Sequence, residues 1–502
     1  MTVRIVSIDE GTTGVRGFVM DGTGAMIGSG YREFTQHFPR PGWVEHDAEE
    51  IWSATLDAVE GALQDSGTRP DEVTCIGITN QRETTVIWDR ADLRPVHNAI
   101  VWQDRRTSGR CDRLKQSGHA PQIRQVTGLV VDAYFSGTKL AWLLDEVEGI
   151  RDRAVAGDLA FGTIDTWLVT RMTAGREHVT EPSNASRTML YDVRAGAWSD
   201  AMLELLDVPA ALLPEVRDSA GRFGISDPQV FLGIEAPITG IAGDQQAALF
   251  GQGAWAAGTS KNTYGTGSFL LLNTGSDAVD SDHGLLTSVA WQLDGTPTYA
   301  LEGSIFVTGA SVQWLRDQLG VIDSAEETEA LAAEVADGND GVYLVPAFAG
   351  LGAPHWDQYA RATLVGMTRG TDRRHLARAA LEAMAYQVTE VAQLMERESS
   401  QDLQELRVDG GASANDLLCR FQADLLGVPV LRPRNTETTV LGAALLAGLG
   451  AEVWSSTDEL TDVWELDQRF DPSMSRDEQR RLLKGWNAAV DRSKGWAHVV
   501  ED

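Results

Sequence analysis

The feature that most constrains this chain is a glycine hairpin that occurs twice. Near the start, an apolar run delivers one carboxylate to a small, hydroxyl-rich turn, and a second apolar run leads away: Ile5-Val-Ser-Ile-Asp-Glu-Gly-Thr-Thr-Gly-Val-Arg-Gly-Phe-Val-Met-Asp21. Midway the design recurs as Lys261-Asn-Thr-Tyr-Gly-Thr-Gly-Ser-Phe-Leu-Leu-Leu-Asn273, and a third glycine loop follows at Leu406-Arg-Val-Asp-Gly-Gly-Ala-Ser-Ala-Asn415. Turns near residues 11 and 265 predict two similar halves, 1–250 and 251–502, each of about 250 residues and at the upper end of the usual domain range. Beyond the hairpin the halves share little sequence, so duplication is an expectation about structure. Gly251–Gly258 is the expected hinge.

Strand-like and helix-like runs alternate along the chain, which is an α/β pattern. Trp52 to Ala62 has helical periodicity with Asp47 as N-cap, and Thr138–Val147 reads as an amphipathic helix. Val73–Asn80 reads as a buried strand, with Thr84–Asp89 as its partner. The most apolar window, Val440–Gly450, is short and glycine-rich, which suits a buried helix. No run reaches the roughly 18 apolar residues of a membrane span, and the N-terminus lacks a basic region followed by an apolar one. A cytoplasmic location is expected.

Charge narrows the partners. The 502 residues hold 73 acidic and 42 basic side chains, a net charge of −31, and only five of the basic residues are lysines. Such a surface disfavours nucleic acid and anionic membranes. It resembles proteins of high-salt cytoplasm, where dense salt screens self-repulsion. Cys75, Cys111 and Cys419 lack a CxxC spacing, so neither a disulfide framework nor a cysteine zinc site is expected.

Several nucleotide and hydrolase motifs are absent. The nearest P-loop match, Gly253 to Gly258, is followed by Thr259 where the motif needs lysine. Kinase HRD and DFG carboxylates, HExxH and GxSxG do not occur. What remains is the pair of hairpins. Gly11 permits a tight turn, Thr12 and Thr13 offer hydroxyl and N–H donors to phosphate oxygens, and Asp9 ends its strand beside them, where it can hold Mg²⁺ through waters. Alone, such a loop is equally an ordinary turn. Gly265, Thr266 and Gly267 supply a second wall if both halves face one cleft. Asn80-Gln-Arg-Glu83 and Ile241-Ala-Gly-Asp-Gln-Gln246 are polar clusters after apolar strands; each taken singly also suits an ion pair or a helix cap.

Together these stretches resemble the glycerol kinases of the FGGY carbohydrate-kinase family. The resemblance is carried by DEGTT at Asp9, GITNQRETT at Gly77, YFSGTK at Tyr134, GIAGDQQAALFGQ at Gly240, KNTYGTGSF at Lys261, GASVQWLRD at Gly309, VPAFAGLGAPHWD at Val345 and VDGGASAN at Val408. It runs from about Arg4 to Gly450 and implies two ribonuclease H-like, actin-like ATPase domains flanking a catalytic cleft. The first would carry the glycerol site and one phosphate hairpin, the second the other hairpin and the adenosine loop. By motif position, Arg82, Glu83, Tyr134, Asp244 and Gln245 would hold glycerol hydroxyls, and Trp102 and Phe269 would pack its carbons. Thr12, Thr13, Gly14, Arg16, Thr266, Gly309, Gln313, Gly411 and Asn415 would contact ATP or ADP. Asp9 and Asp244 would lie nearest Mg²⁺, with Asp244 as general base. A homodimer or homotetramer is implied.

The chain departs from the family's usual DQGTTSSR loop: Glu10 replaces glutamine, and Gly14 and Val15 replace two serines, leaving backbone N–H groups in their place. Asp104 stands where a neutral residue is common and is assigned to the acidic surface. Ser226–Pro237 lacks the Gly-rich, Arg-containing run that binds fructose 1,6-bisphosphate in bacterial members, so that inhibition is not expected. Two alternatives stay open: a kinase for another polyol or ketose on the same fold, and an actin-like ATPase switch.

Overall fold

The computed structural model describes residues 3–335 and 339–497. β1 (Arg4–Glu10) and β2 (Gly14–Asp21) pair antiparallel up to Glu10 and Val15, which leaves only residues 11–13 for the turn. Gly11 N–H closes it by donating to Gly14 O at 3.0 Å. β3 (Met26–Glu33) continues the meander, and α1 (Ala48–Ser66) lies across β2 and β3. Asp47 caps α1 as expected, its carboxylate accepting from Glu49 N at 2.8 Å.

β4 (Cys75–Asn80) is buried along its whole length and pairs parallel with β1; a strand covered on both faces reads as a continuous apolar run. Thr84–Asp89 is not its partner. β5 (Val86–Asp89) precedes α2 (Ser136–Glu146) and pairs antiparallel with β6 (Leu159–Gly162). The reason is that both edges of β4 are taken, one by β1 and the other by β8 (Pro237–Gly243), which follows β7 (Ala220–Ile225). The first large sheet therefore has the order β3-β2-β1-β4-β8-β7. α3 (Asp244–Gly251) starts directly at the end of β8.

The second sheet repeats the pattern. β9 (Thr259–Tyr264) and β10 (Ser268–Gly275) form the second hairpin, followed by β11 (Leu286–Leu293), β12 (Thr296–Ile305) and α4 (Gly309–Asp317). After α5 (Arg373–Ser399) come β13 (Glu405–Asp409), α6 (Asp416–Leu426), β14 (Val430–Pro433), α7 (Thr438–Gly450) and β15 (Leu466–Phe470). The order is β11-β12-β10-β9-β13-β14-β15. From β3 to β7, neighbours pair antiparallel, antiparallel, parallel, parallel, antiparallel, and from β12 to β15 they do the same. Each hairpin thus occupies the same place in its sheet, with β11 as one added edge strand.

Between the sheets, α7 packs on α3 and on β8, β4 and β1, although it follows the second hairpin in sequence. The crossing is close enough to require glycine. A Cβ at Gly442 would lie 1.8 Å from Ala247 O, and one at Gly251 would lie 2.0 Å from Thr438 O. Ile5, Met20 and Cys75 from the first sheet, Leu271 and Ala300 from the second, and Leu441 and Leu445 of α7 share one core there. The apolar window at 440–450 is indeed a buried helix. All three cysteines are free and buried. Among the described residues, no helix is long and apolar enough to cross a membrane.

Candidate active site

Side chains carried by the two sheets meet: Arg82, which follows β4, pairs with Glu302 of β12. Directly opposed residues in adjacent strands share a face. By register, Lys261 and Thr263 of β9, Phe269 and Leu271 of β10, and Glu302 and Ser304 of β12 lie together on the second sheet. On the first sheet Asp9 opposes Arg16 and Thr79.

Arg82 and Glu83 follow β4. Successive residues of an extended strand point to opposite faces, but Glu83 has φ +62°, a left-handed conformation that costs a non-glycine residue about 1–3 kcal/mol. That kink lets both side chains enter one buried network. Arg82 is its hub: Nη1 and Nη2 donate to the two Glu302 oxygens at 2.5 and 3.0 Å, and Nε lies 3.0 Å from Asp244 Oδ1. Gln246 Oε1 at 3.2 Å and the Tyr134 hydroxyl at 3.4 Å accept its remaining bonds. Glu83 accepts from Arg187 Nε at 2.6 Å, and Arg187 Nη2 also reaches Glu302 at 3.3 Å.

Burial works against the charge of Glu302, yet the Arg187 and Arg82 guanidiniums hold its carboxyl down at about 2. Lys261 is buried and pushed down to about 8, opposed by Asp409, Asp244 and Glu302. It donates to Gln245 Oε1 at 2.5 Å and to Thr263 Oγ1 at 2.8 Å. Asp244 begins α3, where the helix dipole favours a carboxylate, and it keeps a third of its side chain exposed, 32%, while Arg82 keeps 2%. The reactive-looking carboxylate therefore faces the cleft, and its partners lie behind it.

Trp102 and Tyr134 meet edge-on with centroids 5.6 Å apart. Trp102 Nε1 donates to Thr12 Oγ1 at 2.9 Å, tying the aromatic wall to the first hairpin turn, and Gln36 holds the Thr12 carbonyl at 2.8 Å. Thr13 is exposed. Phe269 is half-buried against the shared core. Burial pushes the Asp9 carboxyl up to about 7; Arg16 opposes this, and Asp244 and Glu437 add to it. A half-buried carboxylate that feels the charge of a second, Asp244, fits a divalent cation, which would stabilise both ionised forms.

The departures in the first loop have physical causes. A Cβ at Gly14 would lie 2.7 Å from Arg32 O and 2.8 Å from the Tyr31 ring, so β3 already fills the place of the serine side chain. Glu10 is fully buried, with Gln81 donating to Oε1 at 3.0 Å and Oε2 left without a partner. Burial drives its carboxyl well above the usual range, against the hydrogen bond from Gln81. Arg16 pairs with Glu437 at 2.7 Å, just before α7.

On the opposite side, the second hairpin is stitched to α4: Thr308 N and Ala310 N donate to Thr266 O, and Gly309 N donates to Gly265 O at 3.0 Å. A Cβ at Gly309 would lie 2.5 Å from that oxygen. Gln313 is exposed one turn along. Gly411 opens a short turn after β13 with nothing within 4 Å of its Cβ direction. Asn415 caps α6, its amide oxygen accepting from Leu418 N at 2.9 Å, which leaves its NH₂ for another partner.

Asp104 does not belong to the acidic surface. It is 1% exposed and accepts from Val44 N at 2.6 Å and from Arg106 Nε at 2.9 Å. Arg106 lies over Trp43 at 3.9 Å, so the pair is a buried clamp. Sequence reasoning passed over Glu302, Arg187, Gln246 and Lys261 as site residues. Signals existed for two of them: Glu302 is a lone carboxylate in the apolar run Tyr299–Ile305, and Lys261 is one of only five lysines.

Comparisons with known proteins agree with this geometry. The N-terminal domain model of the FGGY family of carbohydrate kinases matches residues 4–251, and the C-terminal domain model matches residues 260–451. The chain is 57% identical over 496 residues to a glycerol kinase of Dechloromonas aromatica, covering 99% of this chain and 98% of that one. It is 55% identical over 492 residues to a glycerol kinase of Halorhodospira halophila, covering 98% and 97%. The structure of Plasmodium falciparum glycerol kinase with ADP superposes with a TM-score of 0.93 at 35% identity, over 98% of each chain. A xylulose kinase of Lactobacillus acidophilus, at 20% identity and a TM-score of 0.88 over 97% of each chain, shares the fold. The chain belongs to the FGGY family of carbohydrate kinases.

Proposed function

We propose that this chain transfers the γ-phosphoryl group of ATP to glycerol, forming sn-glycerol 3-phosphate and ADP as the first step of glycerol use. The reading rests on one observation: Arg82, with Glu83 and Tyr134 beside it, and Gln245 gather around Asp244, a carboxylate one-third exposed. Relatives at 57% identity that carry the name glycerol kinase support the choice of polyol.

Asp244 accepts the proton of a terminal hydroxyl while that oxygen attacks the γ-phosphorus in line and the bond to the β-phosphate oxygen breaks. Arg82 and Glu83 donate to and accept from the other hydroxyls, Arg82 turning an N–H from its longest bond, to Tyr134, towards the substrate, and an analogue lacking a hydroxyl would forfeit that bond. Tyr134 and Gln245 hold hydroxyls as well, and Trp102 and Phe269 wall the carbon chain. Backbone N–H groups at Thr12, Thr13 and Gly14 and at Thr266 and Gly267 donate to the phosphates, and Arg16 adds its charge. Gly309, Gln313, Gly411 and Asn415 lie on the adenosine side. Asp9 and Asp244 would hold Mg²⁺, which neutralises charge on the equatorial oxygens when bound. Residues 1–250 and 251–502 serve as the two domains, and the repeated sheet pattern supports that division.

Coupled measurement of ADP release with and without glycerol, in high KCl, tests the reading. Glycerol should raise ADP release manyfold, and kcat/KM for glycerol should exceed that for erythritol and xylulose. Equal release without any polyol would instead favour an ATPase switch. The charge of −31 supports a high-salt source: unfolding midpoints should climb between low and molar KCl, and a flat profile would refute it. The three free cysteines suit a reducing cytoplasm. Light scattering decides between a homodimer and a homotetramer.

A further inference from the structure

Arg82, Arg187 and Lys261 face Glu83, Glu302 and Asp244 in one buried network, with equal numbers of each sign. Its members do not come from one half of the molecule. Asp244, Glu83, Gln246 and Tyr134, which surround Arg82, precede the second hairpin. Glu302 alone among the acceptors of Arg82 stands on β12 of the second sheet, 220 residues away in sequence. It takes both terminal nitrogens of Arg82, a fork-to-fork pairing that fixes the guanidinium plane, and through Arg187 it also bears on Glu83. Glu302, Arg187, Glu83 and Arg82 are 0–3% exposed, so water cannot substitute for any of these bonds. No motif quoted for the family includes Glu302 or Arg187.

We propose that Glu302 is a positioning residue that makes the glycerol grip depend on the placement of the second sheet. Building on the glycerol-site reading above, Glu302 holds Arg82 in its productive orientation only while β12 lies against the first half. A movement of the second sheet that carries the ATP hairpin at Gly265–Gly267 also carries β12, to which β10 is hydrogen-bonded throughout. Nucleotide and glycerol binding are thereby coupled through this carboxylate, and linkage makes the coupling reciprocal. Released from Glu302, Arg82 would keep only its Nε contact to Asp244 and its weaker bonds to Gln246 and Tyr134, and its guanidinium plane would no longer be fixed.

The test is calorimetric titration of glycerol with and without a non-hydrolysable ATP analogue and Mg²⁺, on the wild-type protein, Glu302→Gln and Glu302→Asp. Wild type should bind glycerol at least about fivefold more tightly with the analogue present, the lower end of usual coupling. Glu302→Gln should weaken glycerol by about tenfold, leave analogue affinity within about twofold and bring the coupling ratio near one. Glu302→Asp keeps the charge but shortens its reach, and should fall between the two. It decides the matter if the glutamine variant does not fold. Glycerol affinity and coupling unchanged in a folded variant would overturn the proposal, as would equal weakening of glycerol and analogue, the mark of a purely structural role. Arg82→Ala runs in parallel. If it leaves glycerol binding intact, the site reading and this proposal fall together; if it abolishes binding while Glu302→Gln leaves glycerol affinity and coupling unchanged, only the coupling falls.

Discussion

Around Arg82, polar groups are buried and paired through side chains from distant parts of the chain, whereas Gly265, Thr266 and Gly411 are exposed and offer mainly backbone. Under the proposed site assignment, the difference follows from what each end would recognise. A small neutral polyol has few groups, so selectivity needs fixed side-chain donors and acceptors whose unpaired state is costly. A polyphosphate carries its own charge, and turns with exposed N–H groups suffice to cradle it. One end therefore depends on a buried electrostatic balance, the other on backbone shape.

Four experiments bear on that contrast, from the largest expected effect to the smallest. Asp244→Asn should lower glycerol-dependent kcat by about 10²–10⁴-fold, the usual worth of a general base, with nucleotide affinity largely kept. Near-normal turnover would remove Asp244 as the base. Arg187→Met should destabilise the protein by about 3–5 kcal/mol in denaturant unfolding, because Glu83 and Glu302 lose a buried partner; a loss below about 1 kcal/mol would mean the network tolerates imbalance.

The third experiment is acid unfolding. Glu302 has an ordinary value of 4.5 and is held at about 2 in the fold. The unfolded chain binds the proton more readily, so this contribution is complete above 4.5 and is lost as pH falls from 4.5 towards 2. Glu302→Gln should flatten that part of the stability curve; an unchanged acid limb would show that other carboxylates dominate it. Last, Gly14→Ser should cost about 1–3 kcal/mol through its clash with Arg32 O and the Tyr31 ring. Gly411→Ala, with open space around it, should stay within about 0.5 kcal/mol. Equal losses at the two glycines would contradict the packing difference between the loops.

Local features were legible in the sequence. The hairpins, the Asp47 cap, the buried helix at 440–450 and the strand-turn-helix of the Asp-Gly-Gly loop all appear where residue type and spacing put them. Each depends on neighbours within a turn or a strand, where glycine geometry, capping and periodicity act directly. The Arg82–Glu83 pair was legible as a polar cluster after a strand, but its kink at φ +62° was not, because strain at a non-glycine residue is imposed by surrounding packing. Asp104 was misread for a related reason: its charge fits an acidic surface in composition, yet Arg106 and Val44 draw it inside.

The sequence by itself determined two glycine hairpins on α/β halves and the residue types able to handle a polyol and a phosphate. Only the tertiary structure decided that β5 pairs with β6, that α7 returns to the first sheet, and that Glu302 meets Arg82. Turns and caps are short-range and leave periodic or positional marks in the chain. A carboxylate and a guanidinium 220 residues apart leave none, and what joins them is the packing of two sheets that neither segment encodes alone.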